Sequence, residues 1–503
     1  MLRFAAVVGK EWAVTTQSTL DGYLDPYAIG DGREHAVAGV VAPASTEEVQ
    51  AVMRIANERR QTIWPISRGK NYGYGSAAPV AAGTVMLDLS RMNRIIDIDE
   101  KLAYCVLEPG VGFYDLYDRL QAEKIKLWIS PPGNSWGSVI GNALEHGNAT
   151  TPYGDHAFNL CGLEVVLADG DRVRTNMGAM GNGAAWHVYK HAFGPGWDQM
   201  FTQSNFGIVT RAGFWMMPEP EASLTLNMEL PEARDIEWAV ETLGPLRTAG
   251  VIRQSCSVRN YMRGAALNTQ RSEWFKGQGA LPESVVREIL KKLNIGWWNV
   301  NLRLYGLPEV NEAHARLIQE RFSRHTDRKF QMTRWRQGEP MGPSGRGEPT
   351  TASMQMLNWT GGRGAHVSFS PSLPLDGKLA REHFERAQAR MREFGFDFYG
   401  SMFLWERSIT VVSQIFFDRD DAAMLGRLRE VFPLLIKDAA QHGYGEYRTH
   451  IDFMDAVAQS FDYNNHALTR LNQSLKAAVD PNGIIAPGKQ GIWPKGAGPA
   501  GRR

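Results

Sequence analysis

Apolar and polar positions along this chain repeat with two different periods, and the switches between them outline its elements. Val49, Val52, Ile55 and Ala56 recur at helical spacing behind Ser45-Thr46-Glu47-Glu48, a capping-box start, so a helix is predicted up to residue 60. A short apolar strand follows at residues 62–66. Residues 85–89, 95–98 and 104–110 read as strands, the last closed by Pro109-Gly110, and residues 111–123 as an amphipathic helix. Residues 163–170 form a strand running into a hairpin, and residues 203–210 a turn entering a strand. After Met217-Pro-Glu-Pro220 the texture changes to strands alternating with long helices, among them residues 284–293, 309–322 and 378–394. The polar, Gly/Pro-rich residues 337–349 read as a surface loop or an entrance lid. From Gly445 onward the chain is helical over residues 454–479, and the residues after Pro494 fray. Strands and helices mixed with short links make the fold α+β. The predicted division is 1–220, 221–445 and 446–503.

Two stretches interrupt the periodic pattern. In Pro65-Ile-Ser-Arg-Gly-Lys-Asn-Tyr-Gly-Tyr-Gly75, the glycines at 69, 73 and 75 permit positive φ and let backbone N–H groups converge on an anion. Arg68 and Lys70 add the positive charge a diphosphate needs. The spacing is neither G-x-G-x-x-G nor followed by G-K-[ST], so the Rossmann and P-loop mechanisms do not apply. An ordinary Gly-rich surface loop is the plain alternative. Residues 128–156 are dense in Gly, Pro and small polar residues, yet Trp136, Val139 and Ile140 within them argue against disorder, which leaves a functional loop.

Composition narrows the class. A chain of 503 residues exceeds one ordinary core, so at least two domains are expected. Lys+Arg 55 against Asp+Glu 54 gives a net charge of +1, which argues against attraction to nucleic acid or an acidic membrane. Cys105, Cys161 and Cys256 make no C-x-x-C pair, so no disulfide framework or metal site is expected and a reducing compartment fits. Lys10 and Glu11 interrupt the apolar start before a signal sequence is complete, and no run has membrane-spanning length. The expected location is cytoplasmic, with the periplasm reachable by co-export with a partner.

Seven segments, in order, resemble the vanillyl-alcohol oxidase and p-cresol methylhydroxylase family of flavoproteins, which includes the bacterial eugenol oxidases: PISRGKNYGYGSAAP (65–79), LEPGV (107–111), WGSVIGN (136–142), TPYGDH (151–156), FTQSNFGIVT (201–210), GYGEYRTH (443–450) and DPNGIIAPGK (480–489). The resemblance implies a split FAD-binding domain, from the N-terminal part and the C-terminal segment, around a cap domain with a large antiparallel sheet flanked by helices. It implies FAD contacts from Pro65, Ser67, Arg68, Gly69, Lys70, Asn71, Tyr72, Gly73, Ser138, Asn142, Thr151, Tyr153, Gly154, Asp155, Gly207, Ile208, Val209, Arg448 and Lys489. The implied substrate is a para-substituted phenol bound as phenolate by Tyr74, Tyr447 and Arg448. Hydride leaves its benzylic carbon for flavin N5, and the resulting p-quinone methide takes up water or is oxidised further. Holding a phenol of pKa near 10 ionised at pH 7 needs about three units, roughly 4 kcal/mol. Charge-assisted bonds of about 1.5–3 kcal/mol each from such a trio suffice.

Two departures from the family change the expectation. The acid that oxidase members carry before the W-G-S-V turn is missing, since the stretch reads Pro132-Gly133-Asn134-Ser135. Glu406 is the expected substitute, a base for the attacking water, with a salt bridge to Arg407 or another cation as its alternative role. The position of the covalent flavin link falls at Thr410, or at Val411 one residue on, and neither forms that bond, so non-covalent FAD is expected. His366, Tyr153 and Thr410 are assigned to the substrate pocket, and His156 to holding the flavin loop. Asp452 and Asp455 are read as solvated or capping, and Trp297, Trp298 and Trp335 as core. Molecular oxygen or a c-type cytochrome is the expected acceptor, and a homo-oligomer the expected assembly. A hydroxy-acid or sugar oxidoreductase on the same flavin fold would not need the phenolate trio, and a non-catalytic homologue would hold FAD that no phenol reduces.

Overall fold

The computed structural model describes residues 1–339 and 347–498. The chain divides into two units, the first made of residues 1–148, 155–218 and 450–503, the second of residues 149–154 and 219–449. Most of the lid segment read from sequence (340–346) and the last five residues lie outside the described residues.

In the first unit, Ser45 caps helix Thr46–Arg59 by accepting the Glu48 N–H, and Val49, Val52, Met53 and Ala56 of its apolar face are fully buried. That helix connects strands Gly39–Val41 and Ile63–Ile66, which flank Val85–Asp88 in parallel; Ala13–Val14 adds an antiparallel edge. The C-terminal tail completes this sheet. Ile63 N–H donates to Ile484 O and Ala486 N–H to Ile63 O, both at 2.8 Å, beside the strand that feeds the glycine loop. A second, five-stranded antiparallel sheet runs in the order Ile95–Asp99, Tyr104–Leu107, Ile208–Trp215, Leu160–Val166, Arg172–Arg174. Helix Leu2–Val8 buries Phe4 and Val8, so the apolar start of the chain is core.

The second unit is built on a seven-stranded antiparallel sheet, in the order Gln331–Arg336, Ala222–Leu230, Trp298–Gly306, Cys256–Asn260, Ser401–Leu404, Ser408–Val411, Ser372–Pro374. Strand alternation sorts its residues by face. Leu224, Leu226, Met228, Val300, Leu302, Leu304, Cys256, Val258, Ile409 and Val411 are buried on one face. The other face is polar and internally bonded: the Asn299 amide donates to Asn227 at 2.9 Å and Arg303 Nε to Thr225 at 2.8 Å. A two-stranded ribbon, Gly364–Phe369 with Ser413–Asp418, stands beside helices Gly377–Glu393 and Ala422–Ala440.

The predicted boundaries shift in three places. The second unit starts at Glu219, reaches Thr449 rather than 445, and takes residues 149–154 out of the glycine-rich stretch. The late return follows from two backbone hydrogen bonds. Ser372 N–H donates to Gly445 O and Tyr447 N–H to Ser370 O, which fixes Tyr447 and Arg448 to the second unit by non-local pairing.

Candidate active site

Within the first unit, Gly69, Gly73 and Gly75 all adopt positive φ. At Gly75 the requirement is also steric, because φ is +103° and a Cβ would lie 2.5 Å from Ile451 Cγ2. A Cβ at Gly141 would overlap the Ser67 hydroxyl, so the glycine loop and helix Val139–Leu144 meet at a spacing that needs a bare backbone. Ser138 caps that helix, accepting the Gly141 N–H at 2.9 Å while donating to Pro109 O. Asn142 Oδ1 lies 2.5 Å from His156 Nδ1, and the His156 ring packs between Phe113 and Phe214. Asp155 caps the short helix His156–Asn159 by accepting the Phe158 N–H. Gly207, Ile208 and Val209 open the central strand of the five-stranded sheet, Ile208 and Val209 paired with Val166 and Val165. The Tyr72 ring sits on Tyr27 at 5.2 Å and edge-on to Trp136.

The cations of this region are engaged differently from the sequence reading. Arg68 Nη1 donates to Asp115 Oδ2 at 2.5 Å and Lys489 pairs with Glu145, so their charge is already matched by carboxylates. What the loop offers an anion is its backbone and the exposed Lys70. Lys70 O in turn accepts the Asn134 amide at 3.0 Å, which joins the two unusual stretches. Asp452 is also not solvated: it bonds His35 Nε2 at 2.7 Å, beside His450, whose Nε2 lies 2.9 Å from Asp25. Asp455 accepts the Trp493 indole N–H.

Lys476 and Asp480 escaped the sequence reading. Lys476 is fully buried and its ammonium donates to Asp480, Asn205 O and Ile485 O at 2.7, 2.5 and 2.7 Å, which uses all three of its N–H groups. Asn205 donates to Ala486 O and Ile492 O, so the tail and the turn before Gly207 share one polar node. The i, i+4 spacing of Lys476 and Asp480 was the available signal.

In the second unit, Tyr447 and Arg448 follow Glu446, which is paired against Pro371. Glu446 is 7 % exposed and accepts the Ser370 N–H at 3.3 Å. Burial pushes its carboxyl up to about 8, against the opposing pull of Thr449 and the Ser370 N–H. In the adjoining ribbon His366 faces Phe416 and Ser368 faces Gln414, so the His366, Ser368 and Gln414 side chains share one face while Val367 and Ile415 fill the other. Among the described residues Ser368 Oγ and Gln414 Oε1 are buried and find no partner, which leaves this face polar and open to hydrogen bonding. The alternation His366-Val-Ser-Phe-Ser370 was its signal. Thr410 lies on the polar face of the large sheet and accepts the Trp405 indole N–H at 3.0 Å; Val411 is fully buried on the apolar face. Glu406 sits in the hairpin turn between strands Ser401–Leu404 and Ser408–Val411, half exposed. It is bonded at 2.9 Å by Arg247, a buried guanidinium that also holds Ile252 O and Gln254 O. Its ion-pair partner is thus Arg247 and not Arg407. Residues 149–154 are joined to this unit by Ser255, which donates to Ala149 O; Thr151 accepts the Tyr153 N–H, and Gly154 approaches Ala149 O too closely for a side chain. Tyr74 lies in the first unit.

Residues 37–176 match the FAD binding domain and residues 351–490 the C-terminal domain of FAD linked oxidases. The flavoprotein subunit of 4-cresol dehydrogenase (hydroxylating) from Pseudomonas putida is 32% identical over 97% of this chain and 94% of its own length. The chain belongs to this flavoprotein family, that of vanillyl-alcohol oxidase and p-cresol methylhydroxylase. Two solved members superpose with a TM-score of 0.93. The 4-ethylphenol oxidase of Gulosibacter chungangensis, in complex with isoeugenol, is 34% identical over 98% of this chain and 97% of its own. Substrate-bound p-cresol methylhydroxylase is 32% identical over 98% and 96%.

The family makes this chain an FAD-linked oxidoreductase, and its two-unit, mixed helix-and-sheet architecture is the family fold. The first unit fits the cofactor on its own geometry. The positive-φ glycine loop offers backbone to an anion, with Ala77 packed closest at Gly69 and Ile451 at Gly75. No helix among the described residues is long and apolar enough to cross a membrane.

Proposed function

We propose that this chain oxidises para-substituted phenols at the benzylic carbon. Bound FAD supplies the hydride acceptor, and the protein's own residues ionise, orient and hydrate the substrate. The observation that carries the reading is the Glu446-Tyr447-Arg448 segment, paired to residues 370–372 at the end of the polar ribbon face bearing His366 and Ser368. Tyr447 and Arg448 hold the phenolic oxygen as phenolate. Removal of the benzylic hydride leaves a p-quinone methide. Glu406, held in its turn by Arg247, takes the proton of the water that adds to it. Residues 65–73 would hold the diphosphate of FAD, with Ser138, Asn142, Asp155 and residues 207–209 shaping the rest of its site. FAD would be held without a covalent bond: the Thr410 hydroxyl is engaged by the Trp405 indole and Val411 is a buried alkyl side chain.

The relatives are named as two kinds of enzyme, one a hydroxylating dehydrogenase subunit and the other an oxidase. An anaerobic screen of 4-alkylphenols tests the reading: bleaching of the yellow enzyme is expected. Recolouring in air with peroxide assigns oxygen as acceptor, and recolouring only with an added c-type cytochrome assigns a hydroxylating dehydrogenase. Acid precipitation is expected to leave the flavin in the supernatant. Flavin that no phenol bleaches would overturn the reading in favour of the hydroxy-acid or non-catalytic alternatives.

A further inference from the structure

A cation without an anion stands on the polar face of the large sheet. In strand Cys256–Asn260, Cys256 and Val258 are fully buried on the apolar face, so Ser257 and Arg259 project from the other. Arg259 is paired across to Asn299 on one side and Ser401 on the other. Among the described residues no carboxylate pairs with it, and its guanidinium lies 5.5 Å from the centre of the Phe403 ring. The acid in the same row, Glu229, is already bonded by the Asn299 amide at 2.6 Å and the Gly296 N–H at 2.8 Å. Burial, with the nearby Arg263, pulls the Arg259 guanidinium down to about 10. A half-buried guanidinium with an aromatic neighbour and no counter-ion is costly to keep unless a ligand supplies the anion.

Resting on the phenol reading above, we propose that Arg259 recognises a carboxylate at the far end of the substrate's para side chain. The sheet sets the separation. From the Arg259 strand to the segment carrying Tyr447 the order runs through residues 401–404, 408–411 and 371–374, about four strand spacings or ~19 Å between backbones. Arg259 and Tyr447 mark the two ends of that span. A ligand held by its phenolic oxygen at one end therefore meets Arg259 with a chain of a few carbons ending in an anion, and Thr410 and Phe403 lie on the same face between them. A bare alkyl group leaves the cation unmatched.

The test compares 4-ethylphenol with 3-(4-hydroxyphenyl)propionate, which has the same ring and benzylic carbon and adds the carboxylate. The wild-type enzyme is expected to favour the carboxylated phenol in kcat/KM by at least about tenfold, and Arg259→Met to lower that preference by at least about tenfold, mainly through KM. Equal kcat/KM for the two phenols in the wild type would overturn the proposal without any variant. So would an Arg259→Met enzyme that loses both substrates in proportion. If that loss comes with weakened FAD retention or an altered flavin spectrum, the cation serves the flavin instead. Should Arg259→Met not fold, Arg259→Lys, which keeps the charge but not the bidentate fork, is expected to retain part of the preference; full retention or complete loss would count against it. Failure of both phenols to bleach the flavin would instead refute the phenol reading, and the two failures are thereby distinguished.

Discussion

Replacing Glu446 by Gln removes a titration and little else, since the amide keeps the shape and an acceptor for the Ser370 N–H. In the unfolded chain this carboxyl titrates at its ordinary 4.5, and burial raises it to about 8 in the folded protein. Between those values the folded state holds a proton that the unfolded state has released, so stability falls as pH rises. The contribution is fully present below 4.5 and lost as pH climbs through about 8. A displacement of about 3.5 units at 1.36 kcal/mol each makes the loss about 5 kcal/mol across the window. Glu446→Gln is therefore expected to match the wild type near the acid end and to be several kcal/mol more stable near pH 8. Urea unfolding followed by tryptophan fluorescence at steps across that range checks it. Parallel stability curves for the two proteins, or a Gln variant that is less stable at every pH, would refute the reasoning and make Glu446 an ordinary ionised group. Infrared spectra add a direct view, because a protonated acid carbonyl band near neutral pH should vanish in the variant.

Two further substitutions probe the first unit. Lys476→Met strands the buried Asp480 carboxylate and two carbonyls, so a loss of about 3–5 kcal/mol is expected, with Lys476→Met/Asp480→Asn recovering a large part of it by thermal melting. Gly75→Ala combines a +103° φ with overlap on Ile451 and is expected to cost about 2–5 kcal/mol; Ile451→Ala in the same chain should relieve the steric share alone.

Much of this architecture can be read along the chain, because its signals are local. Ser45 with Glu48 announces its helix, and the apolar runs at 63–66, 85–88 and 104–107 are strands. The helix Val139–Leu144 is harder to see, since its Ser138 cap is embedded among glycines that read as loop. What local pattern cannot supply is pairing. Alternation in residues 222–230 and 298–306 shows that one face is polar, but only the register Asn227 with Asn301 and Arg259 with Asn299 reveals a continuous polar surface. Tyr447 and Arg448 are legible as a motif, yet their place in the second unit follows from backbone bonds to residues some 75 positions earlier. Charged side chains need the same three-dimensional context. Arg68 and Lys489 suggest anion binding in one dimension, and Asp115 and Glu145 already hold them in three.

The account depends most on the binding of the substrate oxygen as an anion, and a spectrum tests that directly. A para-halophenol, which lacks a benzylic C–H and cannot be oxidised, is mixed with the enzyme near pH 7 and its ultraviolet difference spectrum recorded. The account predicts the phenolate band on binding to the wild type, and its loss with at least about tenfold weaker binding in Arg448→Met. A bound phenol that keeps its neutral spectrum, or an Arg448→Met enzyme that still ionises it, would contradict the account.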